Sequence, residues 1–293
     1  MLRRDLLIAS LALGLPAAIG TRRAWAGGTV TVAYAGSLVA LMEHGIGPAF
    51  DKTFGKTGES FAGYAGGSNK LAHEISGKLL QADVFISANP KVNDSLMGAA
   101  HGDWVDWFIT FAQSPLVIGY NPKSRFAADF AHKPWYEVLQ SPGIRIGRTD
   151  PKLDPKGRLT LALMKKAASL YKIPDLSERV LGAAENPAQV LPEETLVGRL
   201  QSGQIDAGFF YSTETANLKI PAITLPADVA LSAHYTMTMV NRAPNPEGAA
   251  DFLAFLLGRS GQAIMRSYGL DLLPPKLHGA KETVPAKVLA LIP

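Results

Sequence analysis

The sequence predicts a two-lobe α/β protein, each lobe a mainly parallel sheet flanked by helices. Three observations carry that expectation. Short β-branched runs alternate with segments of helical apolar spacing, beginning with Thr29–Ala35 and then Leu38, Leu41, Met42 and Phe50. The alternation restarts near Ile144, after Pro122, Pro134 and Pro142 have interrupted the chain. A late apolar run, Ala233–Val240, precedes a helical stretch, Pro246–Gly269, that closes on the first series.

Taken in order, residues 1–26 come first. Arg3 and Arg4 precede an apolar run from Leu6 to about Ile19, and Ala24-Trp25-Ala26 supplies a small-x-small pattern, so an export signal cut after Ala26 is expected. The run is shorter than the roughly 20 residues that span a bilayer and contains Pro16, which argues against an anchor. The paired arginines resemble a twin-arginine signal, although no Ser/Thr precedes them and Asp5 follows directly; the export route stays open. The expected location is the periplasm.

In the mature chain, Thr29–Ala35 reads as a strand, Gly36-Ser37 as a tight turn and the residues beyond as a helix. The pattern repeats with Glu59–Ala65 as strand, Gly66-Gly67-Ser68 as turn, and Leu71, Ile75 and Leu79 on one helical face. Ala82–Ala88 is a third strand, apolar enough to be central. Such crossovers leave ligands beyond the carboxyl ends of the strands, where Ser37 and Ser68 fall.

Phe111–Tyr120 is a further apolar stretch, and its Leu116–Tyr120 part is read as the first passage between lobes. In the second lobe Leu159–Leu170 and Leu196–Leu200 read as helices and Asp206–Tyr211 as a buried strand. This gives a discontinuous lobe over residues 27–115 and 238–293 and a continuous one over 116–237, the layout of a hinged binding protein with a cleft between lobes.

Composition bounds the function. The chain has 293 residues, 18% charged and 47% hydrophobic, which is globular. It has no cysteine, which excludes disulfides, thiolate metal sites and thiol catalysis. Residues 1–26 hold four arginines and one aspartate, so without them the net charge falls from +4 to +1, and nothing argues for nucleic acid.

Four residues stand out. Ser37 and Ser68 each follow a predicted strand, beside glycine, where a hydroxyl either caps the helix or donates to an anion. Tyr211 ends the Asp206–Tyr211 strand, so its phenol points into the cleft from the other lobe or simply lies at a domain edge. Asp154, in the loop Ile146–Leu159, either caps the following helix or meets the ligand, and the backbone N–H groups of Asp154–Gly157 can face an anion. Glu193-Glu194 either reach the cleft or begin a helix at Thr195, and the helix-start reading is favoured because acidic residues suit the positive dipole end.

The pieces AGSL (35–38), AGGSN (65–69), ADVFISA (82–88), DPKLDPKG (150–157) and DAGFFY (206–211), in this order through nearly the whole mature chain, resemble the periplasmic molybdate/tungstate-binding proteins. The resemblance implies the type II periplasmic-binding-protein fold and a receptor that hands an oxyanion to the permease of an ABC importer. It implies that Ser37, Ser68 and Tyr211 donate hydrogen bonds to that anion. Archaeal-type members carry an acidic residue just before the tyrosine, where this sequence has Phe210. A four-coordinate anion held by neutral donors is therefore expected, with Asp154 capping its helix. Asp154 would be a metal ligand only around a six-coordinate centre, joined by Glu193, Glu194 or Glu214. No cofactor beyond the ligand and no partner oligomer are expected.

A receptor for sulfate or another tetrahedral oxyanion is the alternative within the class. The rival from another class is a secreted serine hydrolase, but Gly66–Lys70 reads GGSNK, not a G-x-S-x-G elbow. Ser169–Lys172 and Lys56–Gly58 match penicillin-recognising words in reversed order without S-D-N, and His73-Glu74 breaks the H-E-x-x-H pattern. No enzymatic activity is expected.

Overall fold

The computed structural model describes residues 28–293. The expected export signal lies outside the described residues. Ten strands are present among them: β1 (Thr29–Ala35), β2 (Ser60–Gly66), β3 (Val84–Ser87), β4 (Trp107–Tyr120), β5 (Ile146–Thr149), β6 (Val190–Leu191), β7 (Ala207–Tyr211), β8 (Ala222–Thr224), β9 (Ser232–Met239) and β10 (Asp271–Gly279).

The spatial order is β2-β1-β3-β9-β4-β7-β5-β6, with β10 and β8 also on β4. The βα units pair in parallel: β2-β1-β3 in the first lobe and β6-β5-β7 in the second. Antiparallel pairing belongs to the strands that join the lobes, because a chain that leaves one lobe and returns must run both ways. β4 does this within a single element. Its residues Ile109–Pro115 pair with β9, and Leu116–Tyr120 pair with β7. The chain comes back between β8 and β9, and β9 pairs with β3 and β4 from Ser232 on, so residues 232–237 belong with the first lobe although the sequence reading kept them in the second.

Local sequence explains the placement. In ADVFISA, Asp83 is buried and its carboxylate accepts from Thr31 N (2.7 Å) and Asn245 N (2.5 Å), tying β3 to β1 and to the helix Pro246–Leu257. In DAGFFY, Asp206 accepts from Ser124 Oγ (2.8 Å) and from the backbone and guanidinium of Arg145 (2.9 Å), which fixes the start of β7. The Pro246–Gly269 stretch is two helices, Pro246–Leu257 and Arg259–Ser267, separated by Gly258 in an extended conformation. Phe50 and Phe252 meet edge to face at 5.2 Å and pack the first lobe against that helix pair. In the second lobe Leu163, Met164 and Ala167, from one face of the helix Pro155–Leu170, are buried with Phe209 of β7.

Among the described residues no helix is long and apolar enough to cross a membrane.

Candidate functional site

The carboxyl ends of β1 and β2 carry the Gly36-Ser37 and Gly67-Ser68 turns. Neither serine caps a helix; the N-cap positions are Ala35 and Gly67, without side-chain bonds. Ser37 Oγ lies 3.0 Å from the phenol oxygen of Tyr235 on β9. Ser68 Oγ, fully buried, accepts from Ala88 N at 3.0 Å, leaving its hydroxyl hydrogen to donate elsewhere.

The second lobe presses directly on these turns. A Cβ at position 36 would lie 1.7 Å from Glu193 Oε2, and one at position 67 would lie 2.6 Å from the carbonyl oxygen of Leu153. Only glycine lets the two lobes approach this closely. The Leu153 carbonyl accepts from Asn69 N and Lys70 N, both at 3.1 Å, and Arg158 donates to Asn69 Oδ1 at 2.7 Å. The lobes are thus closed on one another.

Tyr211 comes from the end of β7 with its ring 6.2 Å from that of Tyr235, edge to face. Its phenol oxygen is buried and has no hydrogen-bond partner. Asp154 caps the helix Pro155–Leu170: Oδ1 accepts from Lys156 N (2.9 Å) and Thr149 Oγ1 (2.7 Å). The Lys156 N–H, expected to face an anion, is therefore committed to that cap.

Between Tyr211 and Asp154 stands a charge cluster. Lys156 is fully buried; its Nζ lies 2.9 Å from Glu193 Oε1 and 2.8 Å from Glu214 Oε2, and 5.1 Å from the Tyr211 ring centroid. Glu214 also accepts from Tyr211 N at 2.6 Å, which pins it to the turn after β7. Glu193 begins the helical turn Glu193–Thr195, and it also reaches the cleft, so the helix-start reading captures only half of its role.

Burial pushes the Glu193 carboxyl well above the ordinary range, although Lys156 pulls the other way. Asp154 is raised for the same reason against the same neighbour. Burial alone would lower Lys156, but Glu193, Glu214 and Asp154 more than reverse this, so the ammonium is held firmly charged. Burial also raises the Tyr211 phenol, which keeps its proton to donate.

Two crevices, of about 230 and 310 Å³, flank Glu193, which lines both. His44 and Glu194 border the first, Lys70 and Asp150 the second. Ser37, Tyr211 and Asp154 are brought to this cluster, while Ser68 sits at the neighbouring turn beside Leu153 and Asp154. Lys156 and Tyr235 were not anticipated. The signal for Lys156 was present: positions 156, 160, 163, 164 and 167 form one helical face, and all five are buried.

The family described as bacterial extracellular solute-binding protein matches residues 30–271. An uncharacterized solute-binding protein of Petrotoga mobilis is 28% identical over 281 residues, covering 85% of each chain. The molybdate/tungstate-binding protein WtpA of Pyrococcus abyssi is 27% identical over 280 residues, covering 80% of each. The solved periplasmic molybdate-binding protein of Azotobacter vinelandii superposes with a TM-score of 0.64 at 21% identity, covering 83% of this chain and 99% of its own.

Proposed function

Because the chain belongs to the bacterial extracellular solute-binding proteins, we propose that it captures a tetrahedral oxyanion, molybdate or tungstate, between its lobes and delivers it to the permease of an ABC importer. The Tyr211 phenol carries the reading. A buried donor without an acceptor costs about 1–3 kcal/mol, and a ligand made only of acceptor oxygens removes that cost. Ser37, Ser68 and Tyr211 are the donors, gathered from both lobes, so the anion bridges the cleft and stabilises its closed form. Asp154 acts as the helix cap rather than as a metal ligand. The name of the Pyrococcus abyssi relative favours molybdate or tungstate over sulfate.

The receptor works without turnover, resident cofactor or nucleic acid, as a monomer exported to the periplasm after loss of residues 1–26. A serine hydrolase has no support, since a nucleophile needs a base within hydrogen-bond reach and the serines meet the Tyr235 phenol and the Ala88 N–H instead. X-ray absorption at the tungsten edge of the tungstate complex tests the site. A four-oxygen shell is expected; a six-oxygen shell lost on Asp154→Ala would overturn the neutral-donor geometry, and no tungsten retained after desalting would overturn the receptor itself.

A further inference from the structure

The buried ammonium of Lys156 holds two carboxylates, and they are not equivalent. Glu214 is satisfied, with Oε1 accepting from Lys156 Nζ (2.9 Å) and Oε2 from Tyr211 N (2.6 Å). Glu193 is not: both its oxygens are buried and neither has an aligned hydrogen-bond donor, although Oε1 lies 2.9 Å from the same ammonium. Its carboxylate instead wedges against the bare Cα of Gly36, at the turn that carries Ser37.

We propose that Lys156 is the cationic contact of the bound oxyanion and that Glu193 is an internal stand-in, a carboxylate that holds this place on Lys156 and yields it to the incoming ligand. The proposal rests on the oxyanion reading above. A carboxylate offers two oxygens and one charge; a tetrahedral oxyanion offers four oxygens and two charges, enough to reach Lys156, Ser37 and the unpartnered Tyr211 phenol together. Glu193 has somewhere to go, because crevices lie on both sides of it. It also has less to lose than Glu214, since it leaves a single ion pair of poor hydrogen-bond geometry. Glu193 bridges the lobes, resting on Gly36 of the first and Lys156 of the second, so it favours closure whenever no oxyanion does.

The experiment compares wild type, Glu193→Gln and Lys156→Gln by calorimetric titration with tungstate, together with small-angle scattering of each ligand-free protein. Glu193→Gln is expected to bind tungstate about tenfold tighter or more, and Lys156→Gln about tenfold weaker or more, the scale of one hydrogen bond to a charged group. Ligand-free Glu193→Gln is expected to be more open than wild type. Equal or weaker binding by Glu193→Gln overturns the stand-in role, as does unchanged affinity in a folded Lys156→Gln the cationic contact. If wild type binds neither molybdate nor tungstate, the oxyanion reading fails separately, and scattering still decides whether Glu193 holds the lobes together. Should Glu193→Gln not fold, Gly36→Ala evicts the same carboxylate, and ligand-free scattering unchanged from wild type would sink the idea.

Discussion

Ser37 lines the cleft that the second lobe covers and Ser68 sits at the neighbouring turn, and on the proposed reading each would add a hydrogen bond to a charged ligand. Such a bond is worth about 1.5–3 kcal/mol, so Ser37→Ala and Ser68→Ala are each expected to weaken tungstate binding by roughly tenfold to a hundredfold. Isothermal titration of folded variants measures this, and unchanged affinity in both would make the serines structural. Sequence singled out Ser37 and Ser68 because each follows a strand beside glycine, Tyr211 because it ends one, and Asp154 because it sits in a loop with turn residues. Lys156 escaped because lysine in a turn reads as solvated, and only the helical face it shares with Thr160, Leu163, Met164 and Ala167 betrays its burial.

Among elements, β4 matters most, since its first half belongs to one sheet and its second half to the other. The apolar stretch Phe111–Tyr120 found this strand through to its end but not its start at Trp107. β10 went unread because Pro274 and Pro275 cannot donate to a ladder; it survives as an edge strand with its register shifting between Leu272 and Lys276. The helix Ser68–Ser76 gives its first free N–H groups to the Leu153 carbonyl, so the Gly67 turn is a docking point between lobes rather than only a bend. Gly67→Ala would set a Cβ 2.6 Å from that carbonyl. The expected result is a more open ligand-free particle by scattering and tungstate affinity lowered about tenfold or more, with each lobe's melting unaffected. Wild-type affinity would show that the lobes close without this contact.

For the molecule as a whole, two parallel βα units face each other across a cleft, joined by β4 and by the return between β8 and β9. The alternation of strand and helix made this architecture legible, whereas the closed contact of the lobes was not, because it depends on distant residues such as Gly36 with Glu193 and Gly67 with Leu153. On the proposed reading, closure around an anion held by donors from both lobes would link capture to the closed shape that a permease recognises. Calorimetric titration of the mature chain with molybdate, tungstate, sulfate and phosphate tests the central claim most directly. Saturable one-to-one binding of molybdate and tungstate, with sulfate and phosphate weaker, is the predicted result; a folded protein that binds none of the four would contradict it.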